Sequence, residues 1–499
     1  MMVPVPHPLL QAILAPLPAS LVASLAGRKL GPKTGWPVGA ILLYQTGLLA
    51  LITYYSQMGQ ARLEEHYSWA VVPAVGLDLV GDGLSLPLAL TISLICSCLA
   101  FYSIRYVEYR VEELYGEGGR AYYALYYALY PLFPAGLIGM ALANNLIMIW
   151  FFMEVLLIPA YFIIAYFGYS ERRKVAVMCF LWGTVASTLF MAGAFMAYSQ
   201  VGSFSLSALP ALSGRPSARL ACSLMALGLL VKMAVLGFHV WVPWVEGEPP
   251  THVGAILACY TNMGAYIMVR VLVLPLPGAF GALSPILMAW ALITMVFGAL
   301  LALAQDDVKR LCACSTISQV AYSLLGVADM APSAVAGGLF YMVSHLLGKA
   351  ILFSTAGLLV YGVRERDMSH MGGLGKYMPS AAVLWALGSM ILSAIPPFSG
   401  LPAELVMFSA IFSSSRGSGP MLAVAICAVL ATALTVAYTF WPLKRVFMGE
   451  PRAPSGGGLR GIPPSMALPL LPLVLASAIL GLRPDLIMGP LMSVLGGRP

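Results

Sequence analysis

The sequence predicts an all-α polytopic membrane protein with about fourteen transmembrane helices. Of the 499 residues, 60% are hydrophobic and only 9% are charged, whereas an ordinary soluble domain has roughly 25% charged residues. Most of the chain consists of apolar stretches of about 20 residues, the length that crosses a bilayer as a helix. This pattern favours one integral membrane unit over several soluble domains.

The charges in the loops support this count of helices. Cytoplasmic loops of membrane proteins are enriched in Lys and Arg, and most of the 27 Lys and Arg residues follow odd-numbered predicted helices. The loops after even-numbered helices hold only Arg62, Arg215, Arg219, Arg270 and Arg416. We therefore expect a multi-pass protein of the cell (plasma) membrane with both termini outside. Because the charges are dispersed, the net charge of +7 does not indicate nucleic-acid binding.

The predicted helices divide the chain into four parts. Residues 1–120 contain helices 1–3, residues 121–274 contain helices 4–8, residues 279–445 contain helices 9–13, and residues 446–499 contain a loop and the last helix. We expect the two middle parts to be inverted five-helix repeats, because each contains an interrupted helix and the two interrupted helices enter from opposite faces.

These interrupted helices are the seventh and the twelfth. Helix 7 ends in "HVWVPWVEGEPPT", where Pro243, Pro249 and Pro250 cannot continue a helix. Helix 12 contains "AIPPFSGLPAE", where Pro396 and Pro397 interrupt a long apolar stretch. Discontinuous helices at matching positions of inverted repeats indicate an ion-handling site near the middle of the membrane. A simple kink at proline is the alternative for each helix alone.

Few ionisable residues lie inside the predicted helices, where a charge costs roughly 2.5–3.5 kcal/mol and usually serves a function. They are Glu154 in helix 5, Lys232 in helix 7, His345 and Lys349 in helix 11, and Glu404 in helix 12. Because Glu154 and Lys232 lie at similar depth, we predict an ion pair between them. This pair would begin a proton relay that the other three residues extend.

These residues also have structural interpretations. The predicted pair could be a static clamp between helices, and the two helix 11 residues could serve packing alone. Glu404 could cap the second half of helix 12, because carboxylates are favourable at helix N-termini. The segment with His239, Glu246 and Glu248 is most simply a solvated loop. In the relay interpretation, His239 joins as a further candidate, and Asn262 with nearby hydroxyl side chains holds connecting water.

The sequence contains no recognisable cofactor motif. It has no GxxxxGK[ST] phosphate loop, no GxGxxG after a strand and no CxxC pair. Its eight cysteines lie in or at apolar segments, which favours buried small hydrophobes over metal ligands. We therefore expect no metal and no cofactor in this chain, and ion movement driven by a gradient or by a partner protein.

Four segments carry a resemblance to a known family. They are "WFFMEVLLIPAYFII", "LVKMAVLGFHVWVPWVEGEPPTHVGAIL", "AQDDVKRLCACSTISQVAYSLLGV" and "AIPPFSGLPAE". They resemble the antiporter-like proton-pumping subunits of respiratory complex I, most closely the M type, also called chain 4. Similar proteins occur in membrane-bound hydrogenases and in multisubunit sodium/proton antiporters. The resemblance extends from about residue 80 to residue 445.

The resemblance implies fourteen helices, two inverted repeats and discontinuous helices 7 and 12. It also implies that Glu154 and Lys232 match the essential pair of the family, and that Glu404 matches the exit-side residue. The function implied is proton translocation as a subunit of an NADH (or other donor):quinone oxidoreductase. Quinone, flavin and iron–sulfur clusters would belong to partner subunits, with no redox centre in this chain. A secondary sodium/proton antiporter component and a hydrogenase subunit are the alternatives.

The sequence departs from the M type at two places. In "ACYTNMGAYIMVR", Asn262 occupies the position where the M type usually has a central lysine. The "HLLGK" segment from His345 to Lys349 resembles the L type and the hydrogenase and antiporter relatives. We therefore hypothesise that Lys349 supplies the missing central charge.

Overall fold

The computed structural model describes residues 4–59, 62–70, 75–450 and 459–496. In this part of the chain, 11 helices are long and apolar enough to cross a membrane, which confirms the all-α polytopic membrane fold. The count of fourteen stays a prediction. Residues 8–58 form one interval of consecutive helices, and both interrupted helices are divided into pieces shorter than 18 residues.

The N-terminal part combines long helices with a β-hairpin that the all-α prediction did not include. Its elements are α1 (Pro8–Leu14), α2 (Pro16–Leu30), α3 (Gly35–Gly59), β1 (Leu63–Ala70), β2 (Val75–Gly81) and α4 (Ser85–Tyr115). The strands pair antiparallel, with Leu63 opposite Gly81. Tyr, Trp and Val favour a pleated surface, and the segment between the flanking apolar helices is too polar to span a membrane.

Two groups of seven helical segments follow in the middle of the chain, where the sequence predicts two five-helix repeats. The first comprises α5 (Arg120–Leu129), α6 (Leu132–Leu142), α7 (Leu146–Phe167), α8 (Arg172–Val201), α9 (Pro216–Lys232), α10 (Val242–Val245) and α11 (Thr251–Met268). The second comprises α12 (Pro277–Gly281), α13 (Ser284–Leu303), α14 (Val308–Asp329), α15 (Pro332–Val363), α16 (Pro379–Leu392), α17 (Gly400–Ser414) and α18 (Gly419–Pro442). The chain then continues through α19 (Pro464–Ala467), α20 (Leu471–Leu482) and α21 (Asp485–Leu495).

The hairpin is fixed to the helices by carboxylates. Glu65 of β1 accepts hydrogen bonds from the backbone N–H groups of Leu9 and Leu10, at 2.8 and 2.9 Å. These N–H groups belong to the first turn of α1 and have no partner within the helix. Desolvation and the neighbouring Glu65 carboxylate raise the pKa of Tyr67 to about 12. The phenol therefore remains a hydrogen-bond donor to Glu65, at 3.0 Å.

A buried ion pair connects the hairpin end to the first repeat. Asp82 accepts a hydrogen bond from Arg270 at 2.6 Å, and its other oxygen accepts from the N–H groups of Leu84 and Ser85 at the start of α4. Burial opposes ionisation of Asp82, but the Arg270 guanidinium and these N–H groups hold the pKa of the carboxyl below its ordinary value.

The same local structures occur in both repeats. Asn145 caps α7 and forms an isolated β-bridge with Ser205, while Asp307 caps α14 and forms one with Asp367. The last helix of each repeat also ends in a π-helical turn, Val269–Val273 in the first and Leu443–Phe447 in the second. This recurrence supports two units of one architecture, whereas their boundaries at 121–274 and 279–445 stay a prediction.

The two helix interruptions are also alike. Each has an alanine in the left-handed region, Ala234 with φ 52° and Ala394 with φ 52°. The N–H group of the following residue then donates to the carbonyl oxygen five positions earlier. These bonds run from Val235 to Leu230 O at 3.3 Å and from Ile395 to Met390 O at 2.9 Å.

The interruption of helix 7 lies earlier than we predicted. The helix ends at Lys232, and α10 begins at Val242, so the break precedes all three prolines of the segment. Pro243 lies in the first turn of α10, where proline is tolerated because its missing N–H would have no helical partner. Gly237, with φ 97°, lies in the break itself.

Neighbouring side chains satisfy the exposed backbone of this break. The N–H group of Leu236 donates to Thr294 Oγ1 at 3.1 Å, and Trp290 Nε1 donates to Leu236 O at 2.9 Å. Both side chains belong to α13, the first long helix of the other repeat. A discontinuous helix is stable in a membrane only when such partners replace water.

Loops that follow odd-numbered predicted helices contact one another at one end of the bundle, and loops that follow even-numbered helices do so at the other end. At one end, Tyr169 N–H donates to Glu248 O at 3.2 Å, and Arg366 lies 3.8 Å from the Glu248 carboxylate. These residues follow predicted helices 5, 7 and 11. At the other end, Asn144 N–H donates to Asp78 O at 2.8 Å, which joins the loops after helices 2 and 4. The contacts agree with the predicted alternation, and the outward orientation of the termini stays a prediction.

Replacing Thr294 with Val tests the support of the helix 7 break. The N–H group of Leu236 would lose its partner, so we expect the free energy of unfolding to fall by about 1–3 kcal/mol. Thermal unfolding of the purified protein in detergent measures this loss. Thr432→Val is the matched control, because Thr432 is half-buried and its hydroxyl donates to Val429 O of its own helix, so no backbone group elsewhere depends on it. Equal stability of the two variants would contradict the assignment.

Candidate functional site

Lys232 is buried at the last residue of α9. Only 2% of the residue is exposed, and its Nζ lies 2.8 Å from the ring centroid of Tyr260. Among the described residues, Nζ has no hydrogen-bond partner. The ammonium is instead favoured by the aromatic face and by the negative end of the helix dipole. A small cavity beside it, with room for about one water molecule, is lined by Cys179, Trp182 and Trp241 among others.

The predicted ion pair between Glu154 and Lys232 is not formed. Glu154 is half-buried on α7 and accepts a hydrogen bond from Ser187 Oγ of α8. No salt bridge joins it to Lys232 in the described part of the chain, where Lys232 Nζ has no hydrogen-bond partner. Tyr260 connects the two regions, because its hydroxyl donates to Met153 O at 3.2 Å. Similar depth therefore did not mean contact, since α9 ends with Lys232 turned toward α11.

Glu246 and Glu248 are buried, so the solvated-loop interpretation of their segment is wrong for both. The exposed fraction of Glu246 is 0%. One of its carboxylate oxygens accepts from Thr261 Oγ1 at 3.1 Å, and the other accepts from Thr316 Oγ1 at 2.7 Å. Glu248 accepts from the N–H group of Glu171 at 2.7 Å. The only sequence signal for Glu246 was the pair of hydroxyl residues inside otherwise apolar helices.

Lys349 and His345 lie on the same buried face of α15, as their spacing predicted. Lys349 Nζ donates to Cys312 O and Ser315 Oγ of α14. His345 Nδ1 lies 3.0 Å from Asn262 Oδ1. The face that carries Lys349 therefore contacts the position where the M type usually has lysine.

Glu404 lies beyond the first turn of α17, so it does not cap that half-helix. Its Oε1 atom is buried and has no hydrogen-bond partner among the described residues. Nearby side chains form a connected polar group between α14, α15 and α18. Tyr341 donates to Gln319 Oε1 at 2.7 Å, and Gln319 Nε2 donates to the Tyr438 hydroxyl at 2.6 Å.

His239 does not join this set of residues. It is half-buried in the helix 7 break, where its Nδ1 accepts from the N–H group of Gly237 at 3.3 Å. Its ring contacts Phe297 edge-on, with 4.8 Å between the ring centroids.

Seven of the eight cysteines are buried, as predicted, whereas Cys427 is exposed. All eight are free thiols.

The structure thus places buried or half-buried titratable side chains beside both discontinuous helices and between the two predicted repeats. Glu154 and Lys232 lie in the first repeat, Lys349 and Glu404 in the second, and Glu246 contacts both. Buried ionisable groups beside discontinuous helices are typical of ion-translocating membrane proteins. The fold therefore defines an integral multi-pass membrane protein with ionisable side chains beside its discontinuous helices.

The comparison with protein families agrees. Residues 143–435 match the family described as NADH:quinone oxidoreductase/Mrp antiporter, transmembrane. The chain belongs to this family of antiporter-like membrane subunits.

Curated relatives cover most of the chain. NAD(P)H-quinone oxidoreductase chain 4-2 of Synechocystis sp. is 30% identical over 457 residues, which are 89% of this chain and 78% of the relative. NAD(P)H-quinone oxidoreductase chain 4 2 of Thermosynechococcus vestitus is 31% identical over 450 residues, 88% of this chain and 81% of the relative. The chain 4 type is thus the same one that the sequence motifs indicated.

Solved structures share the fold. A chain of the Mrp complex from Dietzia sp. DQ12-45-1b superposes with a TM-score of 0.84 and 22% identity, over 98% of this chain and 96% of that chain. A chain of respiratory complex I from Thermus thermophilus with bound NADH gives a TM-score of 0.83 and 23% identity, over 98% of both chains.

Replacing Lys232 with Met tests whether this lysine lowers stability. Met has a similar length and needs no hydrogen-bond partner, so we expect the free energy of unfolding to rise by about 1–4 kcal/mol. Unfolding of purified protein in detergent measures the change. Lys349→Met should gain less, because it also loses two hydrogen bonds. A Lys232→Met protein that is less stable than the wild type would contradict this account.

Proposed function

We propose that the chain is a proton-translocating membrane subunit of a complex I-like assembly that transfers electrons from NADH or another donor to quinone. Membership of the family and the likeness to chain 4 relatives support this proposal. The observation that carries it is the series of buried titratable side chains next to both discontinuous helices. Groups of this kind retain or release a proton when a nearby charge changes.

In this proposal, the redox chemistry takes place in other subunits of the assembly. Flavin, iron–sulfur clusters and quinone would be bound by those partners. This chain would conduct protons, span the bilayer and contact its lipids. It would lie in the plasma membrane, with both termini outside. Charge changes that accompany quinone reduction would reach Glu154 and Lys232 through the neighbouring membrane subunit.

Lys232 would respond to such a change because few contacts hold its charged form. Its ammonium depends on the Tyr260 ring, the end of α9 and the charge of Glu154, and it has no hydrogen bond among the described residues. A shift in the Glu154 charge would therefore alter the balance between the two protonation states of Lys232. Proton release from Lys232 would then pass to the second repeat.

Lys349 would supply the central charge in place of the lysine that Asn262 lacks. Its position on α15 supports this role, because His345 of the same face contacts Asn262 directly. From this region, a path toward Glu404 would run along the hydroxyl and amide groups of Gln319, Tyr341 and Tyr438.

A sodium/proton antiporter component is the second candidate. The likeness to a chain of an Mrp complex, with a TM-score of 0.84, favours it. Purification in mild detergent separates the candidates. Co-purifying iron–sulfur and quinone-reducing subunits would support the first, and sodium-dependent proton exchange without redox subunits would support the second. A co-purifying hydrogenase module would indicate the hydrogenase-type assembly instead.

Substituting the buried lysines tests the translocation mechanism. In inverted membrane vesicles, we expect Lys232→Met and Lys349→Met to abolish proton uptake coupled to quinone reduction, because neither methionine can bind a proton. The assembled complex should remain detectable by native electrophoresis. Lys376→Met is the control, since Lys376 lies exposed in a loop. Normal coupled uptake in Lys232→Met would refute the relay, and normal uptake in Lys349→Met would refute its central role.

A further inference from the structure

We infer that Glu246 is a proton-transfer residue that joins the two repeats. This inference rests on the proposed function and adds a residue to it. Its carboxylate is fully buried, and its two oxygens contact different repeats. Thr261 on α11 belongs to the first repeat, and Thr316 on α14 belongs to the second.

The chain brings Glu246 to this place by folding back after the helix 7 break. α10 ends at Val245, and the following residues turn toward the start of α11. Glu246 therefore points into the bundle, between α11 and α14. The break thus delivers an acidic side chain to the interface between the repeats.

Both threonine hydroxyls have a choice of acceptor. Thr261 Oγ1 lies 3.0 Å from Leu257 O, and Thr316 Oγ1 lies 3.4 Å from Cys312 O, in addition to their contacts with Glu246. A hydroxyl has only one hydrogen to donate. When Glu246 is a carboxylate, both hydroxyls can donate to it. When Glu246 binds a proton, they can donate to their own helices instead, so both protonation states find hydrogen-bond partners.

Lys349 is the neighbouring titratable side chain in the second repeat. Its Nζ donates to Cys312 O and Ser315 Oγ, which lie in the same turn of α14 as Thr316. Transfer of one proton from the Lys349 ammonium to the Glu246 carboxylate would leave a neutral amine and a neutral carboxylic acid. Glu246 could then pass this proton toward Lys232 in the first repeat, and the reverse sequence would carry it the other way.

This position also accounts for the departure at Asn262. Asn262 donates to Ala258 O at 2.7 Å and contacts His345, but its amide does not titrate. Thr261, the residue before Asn262 on α11, donates a hydrogen bond to Glu246. The titratable carboxyl of Glu246 therefore lies beside α11, one residue away from the Asn262 position. The acidic side chain and Lys349 together would replace the single central lysine of the M type.

The test uses the assembled complex in proteoliposomes, with proton uptake measured per quinone reduced. We expect Glu246→Gln, which keeps the shape and an oxygen acceptor, to lower this ratio at least tenfold. Glu246→Asp keeps a titratable carboxyl and should retain a substantial part of the ratio with an altered pH profile. Glu248→Gln is the matched control, a buried acid two residues away that contacts a loop.

The outcomes separate this inference from the proposed function. Wild-type uptake in Glu246→Gln, or an equal loss in Glu246→Gln and Glu246→Asp, would overturn the role of Glu246. If Lys232→Met still loses uptake in that case, the proposed function stands without it. A wild-type complex that moves no protons would overturn both. As a second measurement, infrared difference spectra during turnover should show a protonated carboxyl band that Glu246→Gln removes, and its persistence in that variant would also contradict the inference.

Discussion

The structure depends on one constraint, the need to pair every backbone polar group inside a membrane that offers no water. A helix can be interrupted there only if other side chains take over its hydrogen bonds. At the first break, Thr294 and Trp290 of the other repeat take them over, and at the second break the N–H group of Ser399 donates to Ser477 Oγ at 3.3 Å. These hydrogen bonds stabilise the interrupted backbone at both breaks. The breaks in turn end α9 at Lys232 and direct the following chain back into the bundle.

The buried ionisable groups differ in how well they are satisfied. Lys232 and Glu404, near the two ends of the series, each have a buried polar atom without a hydrogen-bond partner among the described residues. Glu246 and Lys349, near the middle, each have two hydrogen bonds. Weakly held charges respond most to a change nearby, whereas well-held groups keep their positions between the repeats. In the proposed mechanism, the ends would exchange protons with the surroundings and the middle would connect them.

Much of the fold and part of the site could be predicted from the sequence. Apolar stretches and loop charges predict the helices, and helical spacing puts His345 and Lys349 on one face. The sequence could not show that Glu154 and Lys232 lack direct contact, because depth along a helix does not determine its rotation. Proline indicated that helix 7 is interrupted but not where, since Pro243 fits the first turn of α10. The burial of Glu246 escaped prediction because a polar segment outside a helix usually faces water.

The central claim is that protons pass through both repeats of this chain when partner subunits reduce quinone. Replacing Glu404 with Gln tests it most directly, because this residue lies in the second repeat, far along the series from Glu154 and Lys232. The measurement is the number of protons moved per quinone reduced, in the assembled complex in sealed vesicles. The account predicts that the ratio falls while quinone reduction and assembly persist. An unchanged ratio in Glu404→Gln would contradict it.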